Sequence, residues 1–174
     1  SADFFAAALN IKKALYLDPT NPNTYGQLGI IYDHGRNFEG SVQAFKCATQ
    51  GCTVEESCEV LDCENTGLTG VQVEGMPLDG NSYVYYYTYA SVLAALNTRT
   101  NPSCQQALPI LAQLRQAYGN DDNIMSIVRE SEAICSDTTT TSTAGTATPT
   151  PGENGSLTPL PSVPVTLTPS PVGN

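Results

Sequence analysis

The stretch Tyr25-Gly26-Gln27-Leu28-Gly29-Ile30-Ile31-Tyr32, followed by Ser41-Val42-Gln43-Ala44-Phe45-Lys46-Cys47-Ala48, decides how this chain is read. In both halves apolar residues recur at intervals of three and four, which puts them on one stripe of a helix. Pro22 and Asn23 open the first helix, expected to run to about His34. Gly35-Arg36-Asn37 is the turn and Phe38–Thr49 the partner helix. Neither helix can bury its stripe alone, so such pairs stack side by side.

The order Tyr25-x2-Leu28-Gly29-x2-Tyr32, then Ser41-x3-Phe45 and Ala48, resembles one tetratricopeptide repeat. Ser41 stands where that family usually has alanine and is equally small. At the family period of about 34 residues, Ala7, Ile11 and Ala14 fall in register with Ser41, Phe45 and Ala48, and Pro19 with the repeat-ending proline. The likeness is close over residues 1–50 and looser over 82–135. It implies an all-α fold: a helical solenoid of antiparallel helix pairs with a disulfide-stapled inserted loop and an extended C-terminal tail. In such a repeat Tyr25 and Leu28 wedge between two helices, and Gly29 lets the second approach the first. Tyr32 and Phe45 fill the layer between repeats. The whole is similar to secreted or cell-surface bacterial proteins of that family with a cysteine-containing insertion and a Thr/Pro-rich tail. Members of the family act as scaffolds for protein contacts through a groove lined by their first helices. Some hold a peptide carboxylate in a clamp of lysine and asparagine. The matching face here offers Gly26, Ile30 and Asp33, so that clamp is not expected.

Residues 3–17 read as a second helix lacking its first, ending at Asp18-Pro19. Residues 51–81 interrupt the pattern as a loop with three cysteines, several carboxylates, a short strand signal at Val71-x-Val73 and a turn at Pro77-Leu78-Asp79-Gly80. Ser82 is placed to cap a helix through Leu96, in which Tyr86-x2-Tyr89-Ala90-x2-Leu93 repeats the first-helix order. Ala107-x3-Leu111 with Leu114 repeats the second-helix order, and 122–135, with Ile124, Ile127, Val128 and Ile134, is one more first helix. The helical domain is therefore expected over 1–135. From Ser136 the composition turns to Ser, Thr and Pro with almost no charge, an extended tail suited to O-linked sugar. Thr138, Thr139, Thr140, Thr141, Thr148 and Thr150 are candidate acceptors, and Asn154-Gly155-Ser156 has the form of an N-glycosylation sequon. Val163, Val165 and Leu167 alternate along the prolines, a pattern that fits a groove of a neighbour.

The chain carries 17 Asp plus Glu against 7 Lys plus Arg, a net charge of -10. Such a surface repels phosphate backbones and anionic headgroups, so no nucleic-acid partner is expected. No apolar run is long enough to span a bilayer. Ser1-Ala2-Asp3 reads as either a processed end or the start of a fragment. Six cysteines, an even number, point to disulfides and an oxidising compartment, since zinc-site Cys-x2-Cys spacing is absent. Cys104 and Cys135 lie about equally far from a turn near Gly119-Asn120, so an antiparallel pair brings them together. Cys47, Cys52, Cys58 and Cys63 allow three pairings, which sequence does not decide.

His34 is the only histidine and has no serine or cysteine partner in any catalytic spacing, and phosphate loops and metal clusters are missing. Neither enzymatic activity nor a cofactor is expected. Of the tyrosines on the 83–96 helix, Tyr86 and Tyr89 fit core positions, leaving Tyr83, Tyr85 and Tyr87 as contact candidates. The two unpaired terminal helices are complementary halves of one repeat. The expectation is an extracellular structural subunit that joins head to tail into a filament, with Phe4, Phe5 and Leu9 meeting Ile124, Ile127 and Val128 of another copy. The alternatives are a monomeric adaptor binding another protein or peptide in its groove, and a piece cut from a longer array.

Overall fold

The computed structural model describes residues 2–140, with side chains described over 3–137. These residues form eight helices: α1 (Ala2–Leu17), α2 (Pro22–His34), α3 (Phe38–Thr49), α4 (Val54–Leu61), α5 (Cys63–Thr66), α6 (Tyr83–Ala95), α7 (Cys104–Tyr118) and α8 (Asp122–Thr140). All lie in one compact unit, Ser1–Ala144. The chain is thus all-α over the described residues, with one isolated antiparallel bridge between Cys52 and Val73.

Local chemistry sets the helix ends. The Asn21 side chain accepts from the Asn23 N–H at 3.1 Å, with Pro22 in the first turn of α2. Asn37 Oδ1 accepts from the Gly40 N–H at 3.2 Å to start α3. Between them Arg36 takes a left-handed conformation, φ 61°, and makes the turn tight. The bounds read from the sequence for α2 and α3 are those observed.

The α2–α3 pair closes on glycine. A Cβ at Gly29 would sit 2.6 Å from the Phe45 ring, so only hydrogen fits there. Ser41 Oγ donates to the Gly29 carbonyl at 2.9 Å, drawing the two backbones together. Phe45 also packs on Tyr85 and Tyr89 of α6, with ring centroids 6.4 and 6.2 Å apart. One core cluster gathers Phe45 with α6, α7 and α8. A second gathers α1, α2 and α3 with Val60, Leu61 and Val73.

Two expectations are corrected. Residues 51–81 are not simply a loop, because they contain α4 and α5. Helix α4 begins with a capping box, Thr53 and Glu56 each satisfying the other's backbone N–H. It lies against α3 through Lys46–Glu56 and Gln43–Glu59 contacts. The second correction is the domain boundary: α8 runs through Cys135 to Thr140. No glycine or proline stands between Cys135 and Gly145 to stop it.

All six cysteines are paired, as Cys47–Cys52, Cys58–Cys63 and Cys104–Cys135. The first two bonds each close only five residues, so they pin α3 to the following turn and α4 to α5. The third joins the start of α7 to α8 across 31 residues, at the open end of that pair as expected. Replacing both partners (Cys104→Ser with Cys135→Ser) should lower unfolding free energy by about 3–4 kcal/mol in denaturant titration, from the loop released. Gly29→Val should cost about 2 kcal/mol by overpacking against Phe45. Gly80→Ala, where nothing lies within 4 Å of the added carbon, should stay within about 0.5 kcal/mol of the parent.

Candidate interaction surfaces

Four of the large exposed apolar side chains belong to α1: Phe4, Phe5, Leu9 and Leu17, with Phe5 at 77% and Leu17 at 88% exposure. Ala8 and Leu15, on the face between them, are buried against α2. Phe4 stacks on His34 at the end of α2, centroids 5.9 Å apart and planes 11° from parallel. Beside this stack a cleft of about 180 Å³ opens, lined by Phe4, Phe5, Ala8, Ile31, Tyr32 and Asn37. No charged side chain lines it.

At the other end the expected contact residues divide. Ile124 and Val128 are buried in the chain's own core, packed with α6 and α7, and are not open to a second copy. The reason is geometric: a helix that adds to a pair places its central stripe on both neighbours. Ile127, one position round the helix, is half-buried, and Ile134 is 39% exposed. Their flank, with Asn123 and Glu130, is the open side of α8.

The tyrosine assignment is also revised. Tyr85 is a core residue: its ring fills the space beside Gly26 and its hydroxyl donates to Asn23 Oδ1 at 2.8 Å. The face expected to carry Gly26 toward a groove is therefore closed. Tyr86 is buried, its hydroxyl within reach of the carbonyls of Thr49 at 2.9 Å and Met76 at 2.6 Å, and it holds the end of the insertion against α3. Tyr83 and Tyr87 are half-buried and pack together, and Tyr83 packs on Tyr118 with centroids 5.6 Å apart.

Burial pushes the Tyr25 and Tyr89 phenols up to about 12. Tyr25 donates to the Pro19 carbonyl at 2.9 Å, whereas the Tyr89 hydroxyl has no hydrogen-bond partner among the described residues. Hydrogen bonds hold the Glu55 and Glu56 carboxyls below the usual range. For Glu55 these come from its own backbone and Thr53, and for Glu56 from Lys46 and the Thr53 backbone. A shallow acidic cleft of about 400 Å³ lies nearby, lined by Glu55, Glu59, Asp62, Glu64 and the Cys58–Cys63 bond. Among the described residues there is no group of metal-ligating side chains, and no helix is long and apolar enough to cross a membrane. Thr138, Thr139 and Thr140 fall in the last turns of α8, but their side chains lie outside the described residues, as do Thr141, Thr148, Thr150 and Asn154.

Comparison with family models, with curated proteins and with solved structures finds no match to this chain. Three disulfides suit an oxidising setting such as the extracellular space.

The sequence missed α4, although Thr53-x2-Glu56 is the signature of a capping box. It also missed the exposed Leu17 and the cleft beside Phe4. Tyr25→Phe should cost about 1 kcal/mol for the lost hydrogen bond, and Tyr89→Phe should be neutral or stabilising, since the hydroxyl removed has no partner among the described residues. Because both pKa values are raised in the folded chain, their contribution is complete below pH 10. It is lost as pH rises from 10 to about 12. Denaturant titrations across that range, read beside phenolate absorbance, check both statements.

Proposed function

We propose that this chain is a non-enzymatic structural subunit of the extracellular space, a tetratricopeptide-like helical solenoid that joins head to tail through complementary faces of α1 and α8. The Ser/Thr/Pro-rich tail carries sugar at the assembly surface.

The observation that carries this reading is a mismatch in burial at equivalent positions. Ser41, Phe45 and Ala48 on α3 are fully buried, as are Ala107, Leu111 and Leu114 on α7. Their counterparts on α1 are open: Ala7 and Ile11 are only half-buried and Ala14 is exposed. On α8 the matching cap (Asp121 to Asn123, as Asn21 to Asn23 on α2) puts Val128 at the place of Leu28, and it is fully buried as Leu28 and Tyr89 are; what α8 leaves partly open is its flank at the half-buried Ile127. In this reading the open face of α1 in one copy is covered by the apolar flank of α8, at Ile127, in the next. Burying such apolar flanks is favourable at roughly 25 cal/mol per Å² before the cost of association. The contact is heterologous, so it propagates into a fibre or closes into a ring.

Full-length chain examined by sedimentation velocity across a concentration series should give species growing well beyond the monomer. Ile127→Asp, at a half-buried site, should weaken association at least about tenfold while leaving helicity and thermal unfolding near the parent. A parent chain that stays monomeric at every concentration would overturn the reading. The weight would then move to a monomeric adaptor, whose best surface is the Tyr83, Tyr87 and Tyr118 cluster.

A further inference from the structure

Helix α1 presents a second surface, distinct from the face of Ala7, Ile11 and Ala14. We propose that the cleft between α1 and the end of α2 is a docking site for a polyproline II segment. Its occupant is residues 159–165 of a second copy of this chain, Pro159-Leu160-Pro161-Ser162-Val163-Pro164-Val165.

The chemistry of the cleft selects this class of ligand. Polyproline II peptides are bound in aromatic-lined grooves, where ring faces cover proline and a preformed backbone costs little to order. Phe4, Phe5 and Tyr32 supply three rings around the cleft, with Ala8 and Ile31 completing an apolar floor. The Phe4 ring is held by its stack on His34, so that wall is already in place. A polyproline II strand has no internal hydrogen bonds, so its carbonyls need donors. The Tyr32 hydroxyl and the Asn37 Nδ2 sit on the lining, and neither makes a hydrogen bond with the described residues, whereas Asn37 Oδ1 is occupied by Gly40.

Charge narrows the occupant further. In a chain of net charge -10, this cleft has no charged lining residue, and residues 159–165 contain none. The segment holds the spacing Pro161-x2-Pro164, which places two prolines on one side of a three-residue turn. From Thr140 to Pro159 the chain spans up to about 60 Å when extended in polyproline II, at about 3.1 Å per residue. That is about twice the length of a 19-residue helix such as α8, so reaching a neighbouring copy is not limited by length.

The test uses full-length chain carrying Pro161→Ala and Pro164→Ala, so that its own segment does not compete. It is titrated with a synthetic peptide of residues 159–165 and followed by amide and aromatic NMR shifts. Saturable shifts confined to α1, the end of α2 and its turn are expected. Phe5→Ala in the same background should weaken binding about tenfold, because Phe5 is an exposed ring on the cleft wall. A peptide with alanine in place of all three prolines should not saturate. Absent saturation with the proline peptide, shifts centred elsewhere, or equal binding of the alanine peptide would each overturn the proposal. Adding Ile127→Asp to the titrated chain keeps it from assembling head to tail, so the readout stands or falls separately from that assembly.

Discussion

The ring of Phe45 lies where any side chain at position 29 would have to be. That contact makes α2 and α3 a pair, since the helices approach until the Ser41 hydroxyl reaches the Gly29 carbonyl. The same ring then meets Tyr85 and Tyr89, handing the packing on from one pair to α6. Tyr85 repeats the device in the other direction, its ring filling the space beside Gly26. Two glycines on one helix thus order three helices, and the remaining apolar stripes follow by stacking. The disulfides add to this packing: the buried Cys104–Cys135 joins α7 to α8, and the buried Cys47–Cys52 with Cys58–Cys63 tightens local turns around α4.

Helix positions were legible where apolar spacing and breakers agreed. Asn21-Pro22 and the Gly35-Arg36-Asn37 turn bound α2, and Cys104–Cys135 followed from the symmetry of an antiparallel pair. The insertion was harder because α4 has only eight residues, too few for periodicity to speak, and many of them are carboxylates. Its capping box is a local signal that competes poorly with the loop-like cysteines and glycines around it. Tyr85 shows a different limit. A helix built almost entirely of large apolar residues has no unique apolar side, so spacing alone does not say which tyrosine meets a neighbour. What decides is the missing Cβ at Gly26, far from Tyr85 in sequence and invisible until the helices are packed. The same holds for Ile124 and Val128, whose burial depends on both α6 and α7.

For function, the important asymmetry is between interior and terminal helices. Positions that vanish from solvent on α3 and α7 remain partly open on α1, and α8 keeps a half-buried apolar side chain, Ile127, on its flank. A surface of net charge -10 disfavours nonspecific self-association, so apolar flanks that persist on it need a specific cover. The cover proposed is the apolar flank of one terminal helix laid on that of the other. The aromatic cleft beside Phe4 adds a separate means of holding copies together, through a segment rather than a helix.

Electron microscopy of the full-length chain at high concentration, kept oxidised and never denatured, tests the central claim most directly. The account predicts fibres or closed rings whose subunits meet with α8 of one copy against α1 of the next, the half-buried Ile127 becoming covered. Isolated single particles under the same conditions, or an assembly in which the flanks of both α1 and α8 stay in solvent, would contradict it.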